Sequence, residues 1–289
     1  DGVALTKFIC WLKKNVGKIT MTELSAGEKL YSFRAQQENF IDNSFDPIIS
    51  YGIHAAINHY SATPETDIAI EPGNFLLADT GGHYYEGTTD TTRTIVMGSV
   101  NDEQKKYFTA VLRGMLNLGN AKFRYGCTGV NLDYLARGPL WEMGQDFNHG
   151  TGHGVGYLLN VHEGPNSFRW RIIQGDNAVL EEGMITSDEP GYYVENQYGI
   201  RHENLLVCKK AEKTSFGQFM CFEHLTMVPF DLDAVVPELM TVQERALLNN
   251  YHAQVYKKIS PYLEEEEKEW LKEASIFGTN SNSASSMTD

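Results

Sequence analysis

Apolar residues in segment 3–16 (VALTKFICWLKKNV) recur at three- and four-residue intervals, the spacing of one helix face, and Gly17 follows as a stop. Segment 20–37 (TMTELSAGEKLYSFRAQQ) starts a second helix, with Thr22 or Ser25 as its cap. From Ser44 to Gly98 the pattern changes. Pro and Gly punctuate short β-rich runs, among them NFLLADTGG (74–82) and TTRTIVMG (91–98). Asn101 then caps a long amphipathic helix over 102–123, and 131–144 reads as another. A glycine- and histidine-rich stretch leads into two strand-like runs, 183–194 and 198–210, around a short loop. Segments 241–263 and 264–277 return to helix, and the acidic run EEEEKEW (264–270) reads as a solvated helix face. The small, polar residues 278–289 are expected to form a disordered tail.

Helices followed by strands, twice over, predict two similar halves around one sheet. No linker interrupts residues 1–277, so a single α+β domain is expected. Hydrophobic residues make up 42% and charged residues 21% of the 289, which is ordinary for a globular chain. The net charge of −14 argues against an electrostatic nucleic-acid binder, and no apolar run approaches the length of a membrane span. Cys10, Cys127, Cys208 and Cys221 are scattered without a C-x-x-C pair, which fits a reducing, cytoplasmic compartment. The chain opens on Asp1 rather than Met, which suggests a fragment of something longer.

Four acids stand in strand settings. Asp79 (LLADTGG) and Asp90 (GTTDTTRT) would face each other across a hairpin centred between Tyr84 and Tyr85. Turn chemistry instead favours a bend at Gly81-Gly82 or Glu86-Gly87, so the register stays open. Glu189 (SDEPGYY) and Glu203 (RHENLL) form a cleaner pair: a loop centred on Asn196 sets them opposite one another on one face. Two carboxylates across a ladder repel unless a positive charge lies between them. In HGTGHGVGYLLNVHEG (149–164), three histidines and five glycines share sixteen positions. His153 stands between glycines that would let another group approach closely. Each residue alone fits an ordinary turn, edge or core position. Together, four carboxylates and one imidazole suit a pair of divalent ions such as Mn²⁺, Co²⁺ or Zn²⁺ and a hydrolytic site.

The strings DTGGHYYEGTTDTTRT, HGTGHGVG, NVHEGP, DEPGYY and GIRHENLL resemble the metallopeptidases with the pita-bread fold, a curved, mostly antiparallel sheet flanked by helices in pseudo-twofold halves. HGTGHGVGYLLNVHEGP, FEHLTMVPFD and LLNNYH resemble the cytosolic Xaa-Pro aminopeptidase branch in particular, over residues 1–277. The resemblance implies a dinuclear site, usually with Mn²⁺, in which Asp79 binds one ion, His153 and Glu189 the other, and Asp90 and Glu203 both. It implies attack on the first peptide carbonyl by a hydroxide held between the ions, with Glu189 relaying the proton. His59 and His162 would bind substrate and stabilise developing charge, and His149 would line the proline-side pocket. Arg201 would orient a carboxylate or contact the substrate. His202 departs from the usual aliphatic residue, and strand alternation should turn it away from the metals. Peptides with proline second are the implied substrates, and the C-terminal helical segment is the implied homodimer surface. Upstream domains that help close the cleft would be missing. A prolidase-type dipeptidase and a non-catalytic protein-binding module are the alternatives.

Overall fold

The computed structural model describes residues 1–276, so the expected tail at 278–289 lies outside the described residues. Helix α1 (Gly2–Asn15) buries Leu5, Phe8, Ile9 and Leu12, and the chain leaves it through Gly17 at φ +72°. Helix α2 (Glu23–Arg34) is capped by Thr22, whose side chain accepts from the Ser25 N–H while Ser25 Oγ accepts from the Thr22 N–H. These helices pack on an antiparallel sheet of Ile48–Tyr51, Asn74–Thr80 and Thr91–Met97, in which Leu30, Ile49, Leu76 and Ile95 close a shared core.

The plan then repeats. Helix α3 (Asp102–Gly119), capped by Asn101, and helix α4 (Tyr134–Trp141) pack against each other. A second antiparallel sheet follows, in the order Ile185–Asp188, Asn204–Thr214, Gly217–His224, Lys122–Arg124, with Phe123, Phe168, Leu206 and Met220 in its core. A third core, around Phe75, Phe108, Leu112, Ile200, Phe230 and Tyr251, joins the two halves.

Helices α5 (Val242–Ile259) and α6 (Glu265–Ala274) complete the described chain. The acidic run at the start of α6 is only partly a solvated face. Glu266 and Glu267 reach Lys14 and Lys7 of α1 at 2.9 and 2.8 Å, and Leu271 is buried. Such partly exposed pairs contribute about 0–1 kcal/mol each, so the buried apolar stripe is what seats α6.

Candidate metal centre

Strand pairing delivers the acids. Asn74–Thr80 pairs with Thr91–Met97 so that Asp79 lies opposite Thr92 and Thr80 opposite Thr91. The hairpin between them closes with Tyr84 opposite Gly87, which centres it between Tyr85 and Glu86. That centre lies one residue beyond the one that would set Asp79 and Asp90 face to face, so Asp79 meets Thr92, two residues on. The two acids are diagonal neighbours on the same face instead. The second pair follows the expected register: Gly191 opposite Arg201 and Val194 opposite Tyr198 centre the ribbon on Asn196. The ladder resumes with Asp188 opposite Asn204. Glu189 and Glu203 flank the gap between the two ladders.

His153 reaches the acids from Gly152–His153, a short strand paired with Ser167–Phe168. Two neighbours must be glycine for this approach, because a Cβ on Gly152 would collide with the Ser187 carbonyl and one on Gly154 with that of Glu163. The Nδ1–H of His153 donates to the Gly154 carbonyl at 2.8 Å. Its Nε2 is thereby turned toward Asp90 Oδ2 at 3.4 Å and Glu189 Oε1 at 3.3 Å.

The electrostatics call for cations. Burial, then its acidic neighbours, pushes the Glu203 carboxyl well above the usual range, and burial raises Asp90 and lifts Glu189 to about 7. Burial opposes a charge on His153, yet its hydrogen bond to Asp90 and the nearby carboxylates outweigh that and raise it to about 9. Asp79 Oδ1 is buried without a hydrogen-bond partner among the described residues. Donor atoms of His153, Glu189 and Glu203 lie within 4.8 Å of one another, as do those of Asp79, Asp90 and Glu203. Two adjacent triads sharing one carboxylate fit a pair of divalent ions, and oxygen donors with one imidazole suit Mn²⁺, Co²⁺ or Zn²⁺. Asp90, His153 and His162 form a further such group.

A cavity of about 310 Å³ opens onto the acids and is lined by His59, His162, Asp79, Asp90, Glu203 and Phe45, among others. The His162 ring, largely open to solvent, lies 4.0 Å from that of His153, and its partial burial together with the His153 charge lowers it to about 4. His59 is exposed at the cavity wall. His149 differs from both. Its Nδ1–H donates to the Gly150 carbonyl at 2.7 Å, and its Nε2 accepts from the Tyr193 hydroxyl at 2.9 Å. Burial and the Arg201 charge depress it to about 3. Arg201, 3% exposed, donates to Tyr193 Oη at 2.7 Å and to Asp79 Oδ2 at 2.6 Å. His202 turns away and packs edge-on against Phe108 and Phe230 at 4.4 and 5.6 Å.

Several supports were not picked out in the sequence. Thr92 Oγ1 donates to Glu203 Oε2 at 2.7 Å, and Ser187 Oγ donates to Glu189 Oε1 at 3.2 Å. Strand alternation from Asp90 puts Thr92 and Thr94 on the same face, a signal available in DTTRT. Thr92→Val should therefore weaken Mn²⁺ binding about 10–100-fold, the usual cost of losing such a support. Calorimetric titration checks this, and unchanged affinity would show that Glu203 is held by other means.

The model of metallopeptidase family M24 matches residues 1–210, and that of the C-terminal region of peptidase M24 matches residues 218–275. The chain belongs to metallopeptidase family M24. A probable Xaa-Pro aminopeptidase P of Paracoccidioides brasiliensis (strain Pb03) is 43% identical over 279 residues, 94% of this chain and 45% of the relative. One of Botryotinia fuckeliana is 43% identical over 278 residues, 94% and 42%. Among solved structures, X-prolyl aminopeptidase of Caenorhabditis elegans, described as a cytosolic enzyme with a di-nuclear active site, is 37% identical with a TM-score of 0.89 over 95% of this chain and 45% of that one. A prolidase of Pyrococcus horikoshii OT3 is 29% identical, with a TM-score of 0.64 over 79% and 60%. This M24 chain thus has the family's pita-bread fold, as the sequence resemblance implied, and spans less than half the length of the aminopeptidase relatives.

Proposed function

We propose that this M24 chain carries the catalytic centre of a metal-dependent aminopeptidase that releases the N-terminal residue when proline is second. One observation carries the reading: two metal-competent triads share Glu203 on the floor of a cavity walled by His59 and His162. Asp79 would hold one ion, His153 and Glu189 the other, and Asp90 and Glu203 both. Two divalent ions would supply an acidified water and polarise the scissile carbonyl.

The chain's own groups do the rest. Glu189 accepts and relays the proton: its side chain is 17% exposed against 5% for Asp90, so of that pair it is the more open to solvent. His162 is neutral at pH 7, so it presents an N–H to the developing oxyanion without adding charge beside the ions. His59, which lines the same cavity, contacts the substrate. His149 has both ring nitrogens engaged, so it offers the proline side a ring edge rather than a proton. Arg201 keeps Asp79 aimed at its ion. His162→Ala should lower kcat about 10²–10³-fold, the range for losing one oxyanion donor, with metal content unchanged. Loss of metal together with activity would instead make His162 a ligand.

Mass-spectrometric cleavage of Xaa-Pro-Pro-Yaa and Xaa-Ala-Pro-Yaa tests the specificity. Release of Xaa from the first peptide alone, abolished by chelation and restored by Mn²⁺, is expected. Cleavage confined to Xaa-Pro dipeptides would support the prolidase reading, and no cleavage by the metal-loaded chain would contradict both. The sequence resemblance also supports reading the C-terminal helices as a homodimer surface, for which sedimentation should give twice the chain mass. Four free cysteines fit a cytoplasmic location, which cell fractionation tests.

A further inference from the structure

The segment that carries His59 is held almost entirely from outside. Between the strand Ile48–Tyr51 and Tyr60 the chain makes a short 3-10 turn, Gly52–Ala56, in which only Gly52 and Ala55 are buried. Ile53 and Ile57 are 51% and 55% exposed, so hydrophobic burial does little to fix this stretch. From the side of α2 it is met by one carboxylate. Glu23, the first residue of α2, is 1% exposed. Its Oε1 accepts from the Tyr51 backbone N–H at 2.7 Å, both its oxygens lie 3.0 Å from His54 Nδ1, and its Oε2 accepts from the Tyr60 hydroxyl at 3.0 Å. His54 and Tyr60 also stack, with ring centroids 4.2 Å apart.

The three donors bracket His59 in the chain: two precede it and the third follows it directly. A second fixed point lies on the far side, where the Ala55 carbonyl sits so close to Gly199 that any Cβ there would collide with it. Glu23 is fixed in turn by its place in the capped first turn of α2, whose next amide, that of Leu24, donates to Asp67 at 3.0 Å. A buried carboxylate is costly unless donors surround it, and here every donor comes from the His59 segment.

We infer that Glu23 is a positioning residue that sets the height of His59 over the metal centre. It touches neither substrate nor metal ligand and acts through the clamp on residues 51, 54 and 60. The inference rests on the reading above that His59 contacts the substrate. Glu23→Gln keeps the volume but replaces one acceptor oxygen with a donor, so it cannot satisfy all three partners. Glu23→Ala removes all three bonds and leaves the Tyr60 hydroxyl only its contacts with Thr66 at 3.1 and 3.3 Å.

The test is a double-mutant cycle of Glu23→Ala and Glu23→Gln with His59→Ala, read as kcat/KM on the Xaa-Pro-Pro-Yaa peptide, alongside hydrogen exchange of residues 51–61. Glu23→Ala should lower kcat/KM about tenfold to a hundredfold, as misplacement of a binding group does, with Glu23→Gln in between. Both should leave bound Mn²⁺ unchanged. In the His59→Ala background the effect of Glu23 should vanish, because both changes remove one function. Amides 51–61 should exchange faster in the Glu23 variants while those of 74–97 do not. An undiminished Glu23 effect in the His59→Ala background, or exchange at 51–61 equal to wild type, overturns the inference. Should Glu23→Ala fail to fold, Glu23→Gln decides. If the wild-type chain itself cleaves no peptide, the functional reading fails and the exchange measurement alone judges the clamp.

Discussion

Asp90→Asn is expected to remove the paired metal site while leaving the fold intact. Asp90 is 4% exposed, diagonal to Asp79 on one sheet face, and 3.4 Å from His153 Nε2. It belongs to one donor group with Asp79 and Glu203 and to another with His153 and His162, and in the proposed function it would serve both ion positions. Asparagine preserves shape but offers one neutral oxygen where two charged ones stood. Bound Mn²⁺ should fall from two per chain to at most one. Peptide kcat/KM should fall by about 10³-fold or more, equivalent to roughly 4 kcal/mol of lost transition-state stabilisation. Metal-free stability should move the other way. Burial and the Asp79 charge hold the Asp90 carboxyl above its usual range, so a neutral replacement relieves repulsion in the chelated protein. Thermal unfolding with and without Mn²⁺ checks both signs: Asp90→Asn should match or exceed wild type when chelated and gain little from the metal. A variant less stable when chelated would mean that Asp90 is a structural residue and that its activity loss says nothing of metal.

Arg93→Met is expected to be the most damaging single change in the core behind the site. The guanidinium is 1% exposed and has no carboxylate partner among the described residues. It donates to the carbonyls of Thr92, Glu203, Val228 and Pro229 at 2.8, 2.6, 2.8 and 3.1 Å, and to Asn204 Oδ1 and the Tyr251 hydroxyl at 2.7 and 3.0 Å. It also stands 4.0 Å over the Phe230 ring. One side chain thus ties the Thr91–Met97 strand, the Glu203 backbone and the segment leading to α5 together. Methionine fills the space but strands these acceptors in an apolar interior, which should cost about 3–5 kcal/mol. Urea unfolding of the chelated protein measures it. A loss below about 1 kcal/mol, the level of ordinary single hydrogen bonds, would mean that water or a neighbouring donor replaces the guanidinium.

The sequence made some of this legible for identifiable reasons. The Glu189–Glu203 pairing could be read because one short loop joins two clear strands, and Asn196, at φ +59°, is a residue type that tolerates the left-handed turn there. The Asp79–Asp90 register could not, because glycines at 81, 82 and 87 offer competing bends. The actual centre, Tyr85-Glu86, has no turn signature of its own. Arg93 was invisible for another reason: its acceptors at Val228 and Pro229 lie 135 and 136 residues away, and no local pattern announces such a partner. For His149 the sequence offered only a place on the proline-side pocket, by resemblance. Only packing shows that Tyr193 and Gly150 occupy both its nitrogens. The acidic run at 264–270 read as solvent-facing because its charge partners, Lys7 and Lys14, lie on a helix more than 250 residues earlier in the chain.

The most direct test of the central claim is the number of Mn²⁺ ions held per chain after saturation and removal of free metal, counted by elemental mass spectrometry for wild type and Asp90→Asn. Two ions on the wild type and no more than one on the variant is the result this site requires. No bound ion on the wild type, or two retained by the variant, would contradict it.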